Sequence, residues 1–204
     1  MLKANIAVLV SGGGTNLQAL LDAQNNGIIS NGEITLVVSN NSSAYALERA
    51  KKAGVNSKVV LKSQLGSQEN FETELISILE EAKIDLIVLA GFMSILSARF
   101  TKHFENRIIN VHPSLIPSFC GKGYYGLKVH EAALEYGVKV SGATVHFVNE
   151  VPDGGKIIMQ KAVEIMDDDT PETLQRRIME EAEWIILPLS CEKICTLIVE
   201  EKRK

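Results

Sequence analysis

"NIAVLVSGGG", residues 5–14, is a nearly unbroken apolar run closed by three glycines. An apolar run without alternation reads as a strand buried on both faces, as in a parallel sheet covered by helices on both sides. Gly12, Gly13 and Gly14 then turn the chain into residues 16–27, where Leu17, Leu20 and Leu21 recur at helical spacing ahead of a glycine stop. Buried strand, glycine loop and amphipathic helix form the first unit of a doubly wound α/β fold.

The alternation continues along the chain. Strands are expected at "EITLVVSN" (33–40), "SKVVL" (57–61), "DLIVLAG" (85–91) and "RIINVH" (107–112). Helices are expected at 44–53 and 68–83, with a short helical stretch at 96–103. In 68–83, Phe71, Leu75, Ile78, Leu79 and Ala82 make one apolar stripe. After a helix at 127–136 the character changes. "VSGATVHFVN" (140–149) and "KIIMQKAVEI" (156–165) flank the turn segment "EVPDGG" and read as an antiparallel pair. Thr170 and Pro171 supply the N-cap and first position of a last helix, expected to run to about residue 187. The expected architecture is a single α/β domain over 1–204. It has a mostly parallel, Rossmann-like twisted sheet, a C-terminal antiparallel strand pair and a terminal helix.

Composition narrows the function classes. A net charge of -4 with acids and bases mixed along the chain gives no basic face for nucleic acid. Lys202, Arg203 and Lys204 follow two glutamates and read as a solvated tail. Cys120, Cys191 and Cys195 are odd in number and form no CxxC pair, which argues against a disulfide framework or a zinc ribbon. Cys191 and Cys195 share a helical face and are expected in the core. The first strand begins close to Met1 without a signal-peptide layout, and no apolar run is long enough to span a bilayer. A reduced, cytoplasmic, soluble protein with no membrane partner is expected.

The loop "SGGGTNLQ" (11–18) suits an anion, because glycines let the backbone approach and free N–H groups at a helix start point at it. The loop has no Lys or Arg, so backbone donors, the Thr15 hydroxyl and the Asn16 amide would do the holding. A dinucleotide fits poorly: Leu17 occupies the third glycine of GxGxxG, and the second strand ends in "SNN" with no acid for a ribose diol. The Walker A pattern fails, since no Gly-Lys-Ser/Thr follows. A phosphomonoester is the favoured ligand, and a tight turn without ligand is the alternative.

"RIINVH" ends on a second signal. Asn110 and His112 are two residues apart, so both side chains leave one face of a strand at its carboxyl end, where open α/β sheets bind ligands. An amide donor beside an imidazole suits a carbonyl oxygen gaining negative charge and a proton that must move near neutral pH. His146 is expected to be a satisfied strand histidine with nothing polar clustered near it. His103 and His130 are expected at the surface or in loops, and no pair of histidines has metal-ligand spacing with nearby acids. Asp153 could orient His112, but Asp-Gly is also a favoured hairpin turn, and spacing alone does not prefer Asp153 to Glu150. The acids of "DDDTPE" (167–172) complement the start of the last helix, with a cation site as second choice.

Together these motifs resemble the glycinamide ribonucleotide formyltransferase family. The resemblance rests on "SGGGTNLQAL", "LAGFMSILS", "NVHPSLIPSF", "GATVHFV" and the "DGG" that begins seven residues after His146. It implies formyl transfer from 10-formyltetrahydrofolate, as co-substrate, to the amine of a ribonucleotide in purine synthesis, with no metal. It implies Asn110, His112 and Asp153 as the catalytic three. Gly13, Gly14, Thr15, Asn16 and Glu183 would hold the ribonucleotide. Gln68, Met93, Ser94, Ile95, Leu96, Asn149, Glu150, Val151 and Pro152 would hold the folate. On this reading, residues 1–109 serve mainly the phosphoribosyl substrate and 110–204 mainly catalysis and folate. The partners are small molecules, and the protein is a monomer or weak homodimer. A cis peptide is expected at Ile116-Pro117, and His112 is expected to act as an imidazolium beside Asn110.

Departures from the family pattern are also visible. About five residues, "KGYYG", extend the loop after Pro117 and could form a lid or a rigid surface loop. Gln68 stands where a basic residue is common, Ser94 replaces an Arg, and the register before Glu183 runs one residue long. Two rivals use the same formyl donor. A deformylase would carry a further N-terminal domain, and a transfer-RNA formyltransferase a C-terminal one with more positive charge. A non-catalytic phosphometabolite-binding module would leave Asn110, His112 and Asp153 unexplained.

Overall fold

The computed structural model describes residues 2–204. One seven-stranded sheet runs through it in the order β3-β2-β1-β4-β5-β6-β7. The strands are β1 (Ala4–Val10), β2 (Gly32–Ser39), β3 (Asn56–Val59), β4 (Leu86–Leu89), β5 (Ile108–His112), β6 (Val140–Phe147) and β7 (Ile157–Glu164). The first five pair in parallel, while β5 with β6 and β6 with β7 are antiparallel. The expected mixed sheet is therefore present.

β1 shows why its sequence lacks alternation. Ile6, Val8 and Val10 pack into a core on one side of the sheet with α1 (Thr15–Asn25) and the C-terminal helix. Ala7 and Leu9 enter a second core on the other side, beneath α4 (Gln68–Glu81). All five are fully buried. The remaining early helices are α2 (Tyr45–Lys52), the single turn α3 (Lys62–Leu65), which the sequence reading did not anticipate, and α5 (Ala98–His103).

The C-terminal third departs most from expectation. After α6 (Leu127–Tyr136), α7 (Pro171–Ile178) starts with Thr170 accepting from the Thr173 N–H, as its capping sequence requires. A π-helical turn, Met179–Glu183, then leads into α8 (Trp184–Lys202), which passes through Pro188 instead of stopping near residue 187. A proline inside a helix costs about 3 kcal/mol or more. Past it, Ile194, Cys195, Ile198 and Val199 are buried, and each such side chain contributes about 1.5–3 kcal/mol. Burial wins, and the helix continues. Cys191 and Cys195 share its buried face as expected. Lys202 is the last residue of that helix, not part of a free tail, and its Nζ lies 2.6 Å from Asp85 Oδ2.

Among the described residues, no helix is long and apolar enough to cross a membrane. None of their His, Cys, Asp and Glu side chains form a group of three able to hold a metal ion. Of the "DDDTPE" acids, Asp169 is taken up by Arg177, with the two oxygens at 2.5 and 2.6 Å from the guanidinium.

Candidate active site

Parallel order 3-2-1-4-5 reverses direction between β1 and β4, and that switch point opens a crevice at the carboxyl ends of the strands. Four segments meet there: the glycine loop after β1, residues 91–97 after β4, the end of β5, and the turn between β6 and β7.

At the glycine loop, Gly14 has φ +72°, and a Cβ there would lie 2.7 Å from the Ala46 side chain. Only glycine meets both demands, so α2 packs directly against the loop. Arg49 on α2 donates from Nε to the Gly13 carbonyl at 2.8 Å and from a terminal nitrogen to Gln18 at 3.0 Å. The loop thus has a cation beside it that its own sequence lacks. Asn16 donates to Glu183 Oε2 at 2.7 Å, which joins the loop to the π turn. Glu183 is buried, and burial raises its carboxyl above the usual range against the pull of the Asn16 amide. The register that runs one residue long before Glu183 coincides with this π turn, which accommodates one extra residue per turn and aims the carboxylate at the loop.

On β5, Asn110 is half-buried and His112 buried. Antiparallel pairing sets Asn110 opposite His146 of β6, and Asn110 Nδ2 lies 3.2 Å from His146 Nε2. His146 Nδ1 lies 2.8 Å from the Phe147 carbonyl, a bond that requires the proton on Nδ1. That bond turns Nε2 toward both the Asn110 amide and Asp153, and the contact with Asn110 fixes the orientation of the amide, whose other side is left for a substrate. The expectation that His146 stands apart from other polar groups is wrong. Its place is set by the β5–β6 register, which strand spacing alone does not reveal.

Asp153 completes the cluster. Its Oδ2 is 3.5 Å from His112 Nδ1, and its Oδ1 is 3.6 Å from His146 Nε2. Gly121 N–H donates to Oδ2 at 2.8 Å. Asp153 has φ +56°, a left-handed conformation that Asp tolerates better than most residues. Gly155 explains how the turn closes, since a Cβ there would lie 1.7 Å from the Phe147 carbonyl oxygen. Glu150 is exposed and lies outside the His112–Asp153–His146 contacts, so of the two acids Asp153 is the one that faces His112.

Electrostatics bear on the protonation of His112. Burial holds the His112 imidazole below its ordinary range, against the opposing pull of Asp153 and the Phe119 carbonyl. Its Nε2 donates to that carbonyl at 2.9 Å, which leaves Nδ1 as the free lone pair facing Asp153. Burial thus favours the neutral imidazole at rest, while Asp153 favours the imidazolium that the expectation assigns to the reaction. Burial also works against ionisation of Asp153, but its contact with His146, the positive charge of His112 when protonated and the Gly121 N–H outweigh it.

A cleft opens beside these groups. Ser94, Ile95 and Leu96 line one side and Asn149, Glu150, Val151 and Pro152 the other, with Asn110, His146 and Asp153 also in its lining. Met93 and Gln68 lie outside that lining. Met93 is 59% exposed, and its N–H donates to Ser11 Oγ at 2.8 Å across the switch point. Gln68 donates to the Ile95 carbonyl at 3.1 Å and so touches the wall from behind. Ile116-Pro117 is cis as expected. In the inserted loop, Tyr124 and Tyr125 are exposed, and Phe119 packs edge-on against Tyr124 and Tyr136.

His130 corrects a further expectation. It lies on α6 with no exposed surface and no hydrogen-bond partner at either ring nitrogen. His103 is partly exposed, 2.9 Å from Glu80.

Comparison with known proteins gives a consistent result. The formyl transferase family profile matches residues 4–189. A phosphoribosylglycinamide formyltransferase of Haemophilus influenzae is 42% identical over 184 residues, covering 90% of this chain and 84% of that protein. The trifunctional purine biosynthetic protein adenosine-3 of Gallus gallus is 43% identical over 198 residues. That match covers 97% of this chain but 19% of the longer protein, so the chain spans about a fifth of this relative. Among solved structures, glycinamide ribonucleotide transformylase 1 from Symbiobacterium toebii superposes with a TM-score of 0.87 at 43% identity, covering 93% of this chain and 86% of that one.

Proposed function

The chain belongs to the formyl transferase family, and from that premise we propose that it moves the formyl group of 10-formyltetrahydrofolate to the amine of glycinamide ribonucleotide. The observation that carries this reading is the crevice itself: an anion-ready glycine loop lies at one end, a half-apolar cleft at the other, and Asn110, His112 and Asp153 stand between.

The ribonucleotide phosphate docks on Gly13, Gly14, Thr15 and Asn16, with Glu183 beside it. The folate ring enters between Ser94–Leu96 and Asn149–Pro152. The amine attacks the formyl carbon; a C–N bond forms and the carbonyl pair moves to oxygen. The free N–H of Asn110 donates to that oxyanion, and one such donor is typically worth about 2.7–4 kcal/mol. The proton lost by the amine passes to Nδ1 of neutral His112, where Asp153 stabilises the imidazolium. It then goes to the folate N10 as the C–N10 bond breaks, giving the formylated amide and tetrahydrofolate.

The two substrates do not divide cleanly at residue 109 in this scheme, because Glu183 serves the ribonucleotide and Ser94–Leu96 the folate. The reading carries a cytoplasmic protein, monomer or weak homodimer, that handles small molecules without a metal. Calorimetric titration tests its acceptor half. Glycinamide ribonucleotide should bind at least about tenfold tighter than its dephosphorylated riboside, the worth of about one hydrogen bond to a charged group. Equal affinities would remove the glycine loop from the account.

A further inference from the structure

The segment 93–96, which carries the cleft wall Ser94–Leu96, is unusual in one respect: Met93, just outside the lining, and Ile95 within it are 59% and 70% exposed. Turning two large apolar side chains to water forgoes burial worth about 1.5–3 kcal/mol each. Something must hold the segment in that shape. Beneath it lies Glu72 of α4, a carboxylate only 1% exposed. Its Oε1 accepts from the Ser97 N–H at 2.7 Å and from Gln68 Nε2 at 2.7 Å. Its Oε2 accepts from the Ser97 hydroxyl. Gln68 Nε2 also donates to the Ile95 carbonyl, so one amide nitrogen ties the carboxylate to the wall. Arg99 flanks the group, bonded to Thr73 and to the Glu69 carbonyl. Burial raises the Glu72 carboxyl, yet Ser97, Gln68 and Arg99 outweigh it and keep the group ionised. A buried charge this fully satisfied is costly to break, because its partners are left unpaired.

We propose that Glu72 is a positioning residue for the folate co-substrate, acting through Gln68 and Ser97 to fix the Ile95 carbonyl and the Leu96 side chain in the cleft wall. Glu72 touches no substrate. The proposal rests on the formyl-folate reading of the cleft given above.

The test uses Glu72→Leu, which removes every acceptor, and Glu72→Gln, which keeps one oxygen and the shape. Hydrogen bonds to a charged group are worth about 1.5–3 kcal/mol, so Glu72→Leu should raise the KM for 10-formyltetrahydrofolate by about tenfold or more. The KM for the ribonucleotide and kcat should stay within about twofold, since each tenfold step needs about 1.4 kcal/mol. Glu72→Gln should fall between wild type and Glu72→Leu, and it decides the matter if the Leu variant does not fold. Amide exchange at Ser97 should quicken in the variants while α4 keeps its protection. Unchanged folate KM, or both KM values rising in parallel, would overturn the proposal. If wild type does not turn over the folate, the functional reading falls, and unchanged Ser97 exchange would separately overturn the positioning role.

Discussion

Asp153 faces His112 across 3.5 Å, carboxylate oxygen to Nδ1, while the opposite ring nitrogen is tied to the Phe119 carbonyl. This arrangement leaves one imidazole nitrogen able to receive a proton and puts the charge that rewards its arrival beside it. Replacing Asp153 with Asn keeps the shape and removes that charge. Turnover should fall by at least about 100-fold, the low end for a positioned acid–base group, with both KM values within about threefold. Steady-state kinetics on Asp153→Asn checks this, and an unchanged kcat would end the role assigned to Asp153.

The pH profile follows from the same pair. His112 is held below its ordinary value of 6.5 by burial, and in the proposed reaction it starts as the neutral form. Activity should therefore rise with pH through a limb lying below 6.5 and stay level through neutrality. Asp153 pulls the His112 value up, so residual activity in Asp153→Asn should show that limb at still lower pH. A limb in which kcat/KM falls as pH rises from 6 to 7 would mean that the imidazolium is the working form.

His146 should matter through the residue it holds, by less than loss of that residue itself. With His146→Ala the Asn110 amide loses its fixed orientation, and turnover should drop by about tenfold, equivalent to one hydrogen bond of about 1.4 kcal/mol. His146→Gln, which can still accept from Asn110, should recover part of the loss. Kinetics of the two variants side by side decides it.

Acid stability should report on His130. Burial lowers its pKa from 6.5 to about 4, so the unfolded chain binds the proton more readily between those values. The stabilising contribution of the neutral ring is complete above 6.5 and is lost as pH falls toward about 4, a swing of about 3 kcal/mol. Urea unfolding of wild type and His130→Leu at pH 7 and pH 4.5 should show a smaller loss in the variant. Parallel losses would place the acid sensitivity elsewhere.

Gly14→Ala should strain the glycine loop, because φ is +72° and Ala46 occupies the space of the new methyl. A strained loop conformation costs about 1–3 kcal/mol. The ribonucleotide KM should rise by about fivefold or more while the folate KM hardly changes, as initial-rate measurements with each substrate varied in turn would reveal.

Much of this fold was legible because its signals are local. β1 reads as doubly buried from its lack of alternation, and Asn110 and His112 share a face by strand geometry. Asp153 needed the resemblance, since a hairpin turn alone explains an Asp-Gly pair. What escaped depends on partners distant in sequence. His146 joins the site only through its register with β5, 36 residues away. Arg49 reaches the glycine loop from α2, and Glu72 looks like one more solvated acid until Ser97 covers it. Pro188 reads as a helix stop, and only the burial of the residues after it shows why α8 continues. His130 carries no pattern that marks it as buried.

The most direct measurement follows the label from formyl-labelled 10-formyltetrahydrofolate with purified protein, with and without glycinamide ribonucleotide. The account predicts that label appears on the ribonucleotide amine and that tetrahydrofolate forms only when the ribonucleotide is present. Label released as formate at the same rate without the acceptor would contradict it and make the protein a hydrolase.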